Sequence, residues 1–190
     1  SVSRQANLAR PIPTEPTAAG RALLQRLSAE RLSHTRARMG TVLAADLAVA
    51  GAASDHLQAA ETTTRLVDGV VEQIDVIRKA GGVAVVLPMP RLCQLGLGED
   101  EFVEVYADIA RAAGDGPLIV HWLGPMFLPA LEGYFPGDSF LRIMRGAPER
   151  YRAAKLSMLD HELEVRLRRD LLERDQIMLT GDDFHFGRLI

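Results

Sequence analysis

The sequence predicts an α/β fold, because apolar strands alternate with amphipathic helices along the chain. Residues 83–88 form the clearest apolar run, and residues 118–123 form a second. Such runs are typical of a parallel sheet that is covered on both faces. The helices predicted over 62–80 and 99–113 repeat their apolar residues at helical spacing. Two architectures fit this alternation: a (β/α)8 barrel and an open doubly wound sheet.

The other elements divide the chain into an N-terminal arm and helix, residues 1–40, and a partial sheet domain, residues 41–190. In chain order they are an arm (1–17), a helix (18–38), a strand (41–50), a loop (124–137), a short helix (140–144), a strand (153–159), a helix that ends at 172 and a strand (176–180). Asp160 is the expected cap of the helix that ends at 172. Gly81 and Gly82 are expected to end the helix before them.

Composition and charge argue against several classes of function. A net charge of −3 gives no reason to expect a nucleic acid or an acidic membrane as partner. No apolar run approaches the ~20 residues that span a bilayer, and the first residues lack the apolar core of a signal peptide. Cys93 is the only cysteine, which excludes an internal disulfide and a cysteine-based zinc site. We therefore expect a cytoplasmic protein whose partner is a small molecule.

Lys155 is the residue that points most directly to chemistry. Of 22 basic residues only Lys79 and Lys155 are lysines, and Lys155 lies in a predicted apolar strand. Arginine stays protonated at any ordinary pH, whereas a desolvated lysine can act as an amine nucleophile. This placement makes Lys155 the leading catalytic candidate.

Further polar residues occur at or just beyond the carboxyl halves of several predicted strands. They are Ser54, Asp55 and His56; His121 and Trp122; Lys155 and Ser157; and Thr180, Asp182 and Asp183. In a parallel barrel these strand ends meet at one rim, where the catalytic sites of that fold lie. Lys155 and Ser157 are two residues apart, so they point to the same face of their strand.

Each of these residues also has a purely structural interpretation. Lys155 would be an edge lysine with its amine in solvent, and His121 a hydrogen-bonded core histidine. His56 and the segment 181–183 would be turns or helix caps. We read Glu162 and Glu164 as part of a solvated face, and His34 and His161 as exposed helix residues.

Four segments of the chain resemble a protein family called DUF993. They are GAASDHL from Gly51, HWLGPMF from His121, KLSMLD from Lys155 and TGDDF from Thr180. The family's corresponding segments read roughly GAGTDHL, HWLGxMFDPAL, KISLLD and TGDDF. The resemblance runs from about residue 51 to the C-terminus, whereas residues 1–40 show none.

The resemblance implies a TIM barrel of class I aldolase type, because the family is related to dihydrodipicolinate synthase and N-acetylneuraminate lyase. In that superfamily a lysine on the sixth strand forms a Schiff base with a 2-oxo acid, and Lys155 falls on this strand. The segment from Thr180 to Asp183 is similar to a Ser/Thr-Gly-Asp-Asp/Glu run after the seventh strand. His121 stands where a tyrosine usually relays the proton, and a histidine can take that role chemically.

Two features depart from the family pattern. Leu128 replaces an aspartate of the family, so one acid at the mouth of the barrel is lost. Only strands three to seven of an eight-stranded barrel are recognisable, and five strands cannot close one. We expect either that further strands belong to a longer protein or that residues 1–40 and a partner chain complete the structure.

The leading functional prediction is a Schiff-base-forming lyase or aldolase acting on a small 2-oxo acid or sugar-derived carbonyl compound. Lys155 would attack the carbonyl and His121 would move protons. Asp182 and Asp183 would orient the lysine or bind substrate hydroxyls, and Ser54, Asp55 and His56 would line the mouth. Trp122, Ser157 and Thr180 complete the predicted substrate-binding set. No cofactor is needed, and a homo-oligomer is expected.

Two alternatives remain open from the sequence. The first is a sugar isomerase or epimerase on the same barrel that depends on a divalent metal. Its candidate ligands are Asp55, His56, His121, Asp182, Asp183 and His185, none with a diagnostic spacing. The second alternative is a non-catalytic barrel fragment that acts as an interaction partner or structural subunit.

Overall fold

Five strands alternate with helices in the residues that the computed structural model describes, which are 49–52, 57, 60 and 62–181. All of them belong to the unit Ala44–Ile190. The strands are β1 (Val49–Ala52), β2 (Val83–Val86), β3 (Leu118–Leu123), β4 (Tyr151–Ser157) and β5 (Ile177–Thr180). The helices are α1 (Thr63–Lys79), α2 (Pro90–Gln94), α3 (Glu99–Ala112), α4 (Ser139–Gly146) and α5 (His161–Leu172), with a 3-10 turn at Pro129–Leu131. The arm and helix predicted over 1–40 lie outside the described residues.

The strands form one parallel sheet whose spatial order follows the order along the chain. A doubly wound sheet reverses its strand order at a switch point, and the strands described here show no reversal. The doubly wound alternative therefore finds no support in this part of the chain. β1 and β5 each pair with one neighbour, so the described sheet is open rather than closed.

The longer helices, α1, α3, α4 and α5, pack against one face of the sheet. A single buried cluster joins them to residues that alternate along the strands, which are Ala52, Ala84, Val86, Val120, Ala154 and Leu156. When the strands of a parallel sheet follow one another in the order of the chain, every right-handed crossover connection passes over the same face. The connecting helices therefore all lie on that face. We call the opposite side of the sheet the open face, because the longer helices do not pack on it. The residues at its centre, Val85, Ile119 and Ala153, are nevertheless buried.

The ends of two helices follow the local sequence. The Leu163 amide donates a hydrogen bond to Asp160 Oδ1 at 3.0 Å, so Asp160 caps α5 as predicted. After α1, Gly81 has a φ of +80°, a conformation that glycine adopts more readily than other residues. The Gly82 amide then donates to the Ile77 carbonyl at 2.9 Å. These bonds fix where α5 begins and where α1 stops.

Aromatic residues anchor the long loop that leaves β3. The hydroxyls of Tyr134 and Tyr106 lie 2.9 Å apart, and the Met89 amide donates to the Tyr134 hydroxyl at 2.9 Å. Phe135 stacks edge-on against Trp122 and Phe140. Because its aromatic end is buried in the core, the loop is held at a fixed position beside the carboxyl end of β3.

Several predicted boundaries shift in the structure. The lysine strand begins at Tyr151 and ends at Ser157, so Met158 and Leu159 lie beyond it. The sequence analysis missed the short helix α2, which begins at Pro90, a residue suited to a helix start. None of the described helices is long and apolar enough to cross a membrane.

Candidate active site

His121 and Lys155 lie side by side on the open face. They are register partners in the parallel pairing of β3 with β4, which places their side chains on the same side of the sheet. Ser157 shares this face because it is two residues further along β4. His121 Nε2 lies 3.3 Å from Ser157 Oγ. The structure therefore brings together three of the residues that the sequence predicted for the site.

Burial sets the protonation state of His121. Its side chain is 8% exposed and that of Ser157 is 5% exposed. Removal from water, together with the smaller effect of the positive charge of Lys155, lowers the pKa of His121 to about 4. The imidazole is therefore neutral at pH 7. A neutral imidazole can either donate to or accept from the Ser157 hydroxyl, and it can accept a proton from a reacting group.

Lys155 is half-buried. Among the described residues, no carboxylate forms an ion pair with its amine. Within the described part of the chain, its register partner on β3 is His121, and its half-buried position distinguishes it from a fully exposed surface cation.

Gly181 closes the site beside β4. Its amide donates to the Leu156 carbonyl at 2.6 Å, so the chain leaving β5 stays against β4. A Cβ atom at this position would collide with Ser157 Oγ and would lie 3.2 Å from Lys155 Cε. Glycine is thus required here by lack of space rather than by backbone conformation. The sequence analysis treated Gly181 only as part of a turn; a glycine directly after a strand is the signal that indicates such a close approach.

The loop after β3 forms the neighbouring edge of the site. The Gly124 amide donates to the Ser157 carbonyl at 2.9 Å, which joins the carboxyl ends of β3 and β4. Three apolar side chains of this loop, Met126, Phe127 and Leu128, are exposed. Position 128, where the resemblance predicted the loss of an acid, therefore presents a leucine to solvent.

Trp122 and Thr180 lie on the opposite, helix-covered face. The Trp122 ring packs against Phe135 and Phe140, with ring centroids 5.3 and 4.9 Å apart. The Thr180 hydroxyl donates to Glu164 Oε2 on α5 at 3.1 Å. The structure does not bring these two side chains to Lys155, and it gives them contacts within the core instead.

The remaining predicted site residues belong to other segments of the chain. Ser54, Asp55, His56, Asp182, Asp183 and His185 lie outside the described residues. The predicted roles of the acids and of the mouth residues therefore stay predictions. In the part of the chain that the structure describes, no three side chains of His, Cys, Asp or Glu are grouped so that they could hold a metal ion.

Two structural interpretations from the sequence are wrong. Glu164 is fully buried and binds Thr180, so it is not part of a solvated face. His161 is half-buried rather than exposed. Both lie in the first turn of α5, whose inner side faces the end of β5. The spacing of Leu163, Leu167 and Leu171 marks the inner side of this helix, but it gave no sign that an acid would join it.

The fold and the site define an α/β protein with a histidine–lysine pair on the open face of a parallel sheet. The chain belongs to the family described as "Protein of unknown function (DUF993)", whose model matches residues 17–190. The match begins well before residue 51, so the expectation that residues 1–40 lie outside the family is wrong from residue 17 onward. No curated protein matches the chain.

Proposed function

We propose that the protein is a Schiff-base-forming lyase or aldolase that acts on a small 2-oxo acid or a sugar-derived carbonyl compound. The observation that carries this proposal is the pairing of a half-buried lysine with a neutral, buried histidine on adjacent strands. An amine nucleophile and a proton acceptor that are held next to each other are the two groups that imine chemistry requires.

We further propose that the described sheet is part of a (β/α)8 barrel. Two features support this: the strands follow chain order without reversal, and their helices gather on one face. The open face would then be the barrel interior, and Lys155 would lie towards the carboxyl ends of the strands, where barrel enzymes carry out catalysis. Further strands, pairing with β1 and β5, would complete the closure.

In the proposed reaction, the neutral form of the Lys155 amine attacks the carbonyl carbon of the substrate through Nζ, and the carbonyl oxygen leaves as water. The resulting iminium accepts the electron pair of the adjacent C–C bond when that bond breaks. In C–O cleavage it accepts instead the pair of the adjacent C–H bond, whose proton is removed, and the enamine so formed expels the oxygen, which leaves with the electron pair of its own bond. After C–C cleavage, a proton added to the enamine carbon regenerates the imine. His121 takes up and returns the protons that these steps release and consume. Ser157 orients the imidazole through its contact with Nε2. Water then hydrolyses the imine and frees the amine.

The experiment is reductive trapping on the full chain. Incubation with sodium cyanoborohydride and a panel of carbonyl compounds (pyruvate, 2-oxobutyrate and dihydroxyacetone) is followed by intact-protein mass spectrometry. We expect a mass increase equal to that of the compound less its carbonyl oxygen atom, because reduction makes the imine permanent.

Two matched variants locate the reaction. Lys79 is exposed at the end of α1 and is the chain's other lysine, so Lys79→Arg should trap as the wild type does. Lys155→Arg keeps the positive charge but cannot form an imine, and it should abolish trapping. Equal trapping in Lys155→Arg and the wild type, or no adduct with any member of the panel, would refute the proposed function.

A further inference from the structure

We propose that the groove between α3 and α4 binds a small organic anion, whose carboxylate or phosphoryl oxygens contact Arg150. The groove encloses about 410 Å³, within the range of about 300–1,000 Å³ that small-molecule sites occupy. Two residues that line it, Asp115 and Arg150, lie three residues before β3 and immediately before β4. The groove therefore lies at the amino edge of the sheet, away from the strand ends at Gly124 and Gly181.

Small residues on both helices create the space. Ala107 on α3 and Gly146 at the end of α4 both line the groove, and Val103 and Ile143 supply an apolar lining. Ligand sites are mostly apolar, with a few polar groups that fix the orientation of the ligand. An occupant with a hydrocarbon part and one charged group fits this lining better than a bare inorganic ion does.

The charges of the lining point to an anion. Two of its three arginines already have carboxylate partners: Arg111 pairs with Asp108 at 2.5 Å, and Arg142 pairs with Glu99 and Asp100 at 2.8 and 2.7 Å. Arg150, by contrast, forms no ion pair with any described residue. Asp115 and Glu149 also line the groove, but neither is paired with Arg150.

One nitrogen of the Arg150 guanidinium group is hydrogen-bonded to α3, whereas another has no hydrogen-bond acceptor among the described residues. Its Nε donates to the Ala110 carbonyl at 3.1 Å. Its Nη2 is buried, yet it has no hydrogen-bond partner among the described residues. A buried donor without an acceptor is unfavourable, and a guanidinium group suits the two oxygens of a carboxylate or phosphoryl group.

A second cation lies close to Arg150. Arg78 donates to the carbonyls of Ala113 and Gly116. Burial lowers the pKa of Arg78, and the charge of Arg150 lowers it further, against the opposite effect of Asp75 and Asp115. An anion at Arg150 would offset this repulsion.

The test is a titration of the ¹⁵N-labelled full chain, followed by NMR, with benzoate, phenyl phosphate and benzyl alcohol. We expect saturable shifts at groove residues with at least one of the two anions, and the responding anion identifies the preferred head group. Benzyl alcohol has the same ring without the charge, and it should bind at least about tenfold more weakly, because charged hydrogen bonds are the stronger ones. Saturation by neither anion, or equal affinity for benzyl alcohol, would overturn the proposal.

Three variants locate the site. Arg150→Gln should weaken binding of the anion about tenfold or more. Arg145→Gln is the matched control, since Arg145 lies on α4, five residues before Arg150, but pairs with Asp170 and does not line the groove; the affinity of this variant should be unchanged. Arg150→Gln also removes the hydrogen bond from Arg150 to α3, so a loss of binding in that variant could have a structural cause. Ala107→Leu is an independent test, because it fills the groove without altering Arg150, and it should also weaken binding. Unchanged binding in a folded Arg150→Gln variant, or in Ala107→Leu, would contradict the proposal.

Discussion

At the scale of single residues, the proposed chemistry depends on a buried histidine and on the lysine that lies beside it. His121 loses its proton easily because it is buried and because the cation of Lys155 lies beside it. Neither condition follows from the histidine itself. Both follow from the register that pairs position 121 with position 155 and from the buried place of β3 at the centre of the described sheet.

The lowered pKa of His121 predicts how stability depends on pH. An unfolded histidine titrates near 6.5, and His121 in the folded protein titrates at about 4. Its contribution is therefore fully present above pH 6.5 and is lost as the pH falls towards 4, because the unfolded chain takes up the proton first. Allowing for partial solvation, the loss is about 2 kcal/mol.

Urea unfolding across this pH range, compared with that of His121→Gln, measures the effect. Glutamine keeps a polar contact with Ser157 but does not titrate. The variant should therefore lose about 2 kcal/mol less stability over the window than the wild type. Parallel stability curves for the two proteins would show that His121 is not held neutral by the fold.

At the scale of secondary-structure elements, close backbone approach and capping hold the site. Gly181 lets the end of β5 lie against β4, and Asp160 starts α5 beside the same strand end. The sequence predicted the cap, because an aspartate before an amphipathic run is a local signal. It did not predict the close approach at Gly181, because which strand lies beside Ser157 depends on tertiary pairing.

Gly181→Ala should destabilise the protein by about 1–3 kcal/mol, since the new methyl group meets Ser157 Oγ in a packed site. Gly146→Ala is the control, because that position has open space around it, and its stability should change little. Adding Ser157→Ala to Gly181→Ala should recover part of the loss, because it removes the oxygen that the methyl meets. Thermal unfolding compares the stability of the three variants. If the double variant is no more stable than Gly181→Ala, the clash with Ser157 Oγ is not the cause of the loss.

Asp160→Ala should lower the free energy of unfolding by about 1 kcal/mol, because the Leu163 amide loses its acceptor at the start of α5. Asp138→Ala provides the comparison: Asp138 occupies the same position before α4, but its side chain makes no capping bond. Denaturant unfolding of both variants is the measurement. Equal losses would mean that the cap at Asp160 does not stabilise α5.

At the scale of the whole molecule, the sequence predicted the alternation of elements and the parallel sheet, because those depend on apolar runs and helical periodicity within short windows. It predicted that His121, Lys155 and Ser157 lie close together, because these residues belong to two successive strands of a parallel sheet. It misplaced Trp122 and Thr180 relative to these residues. Alternation along β3 already puts position 122 on the face opposite to position 121, whereas the face of Thr180 depends on the register of β5 with β4. It also missed the groove at Arg150, since the facing of α3 and α4 across small residues leaves no local pattern.

The most direct measurement is the location of the reduced adduct in the unmodified wild-type chain. After cyanoborohydride trapping with a 2-oxo acid, proteolysis and tandem mass spectrometry assign the modified nitrogen. The account predicts that the added mass is on Lys155 and that Lys79 is unmodified. An adduct confined to Lys79 or to any other amine would contradict it.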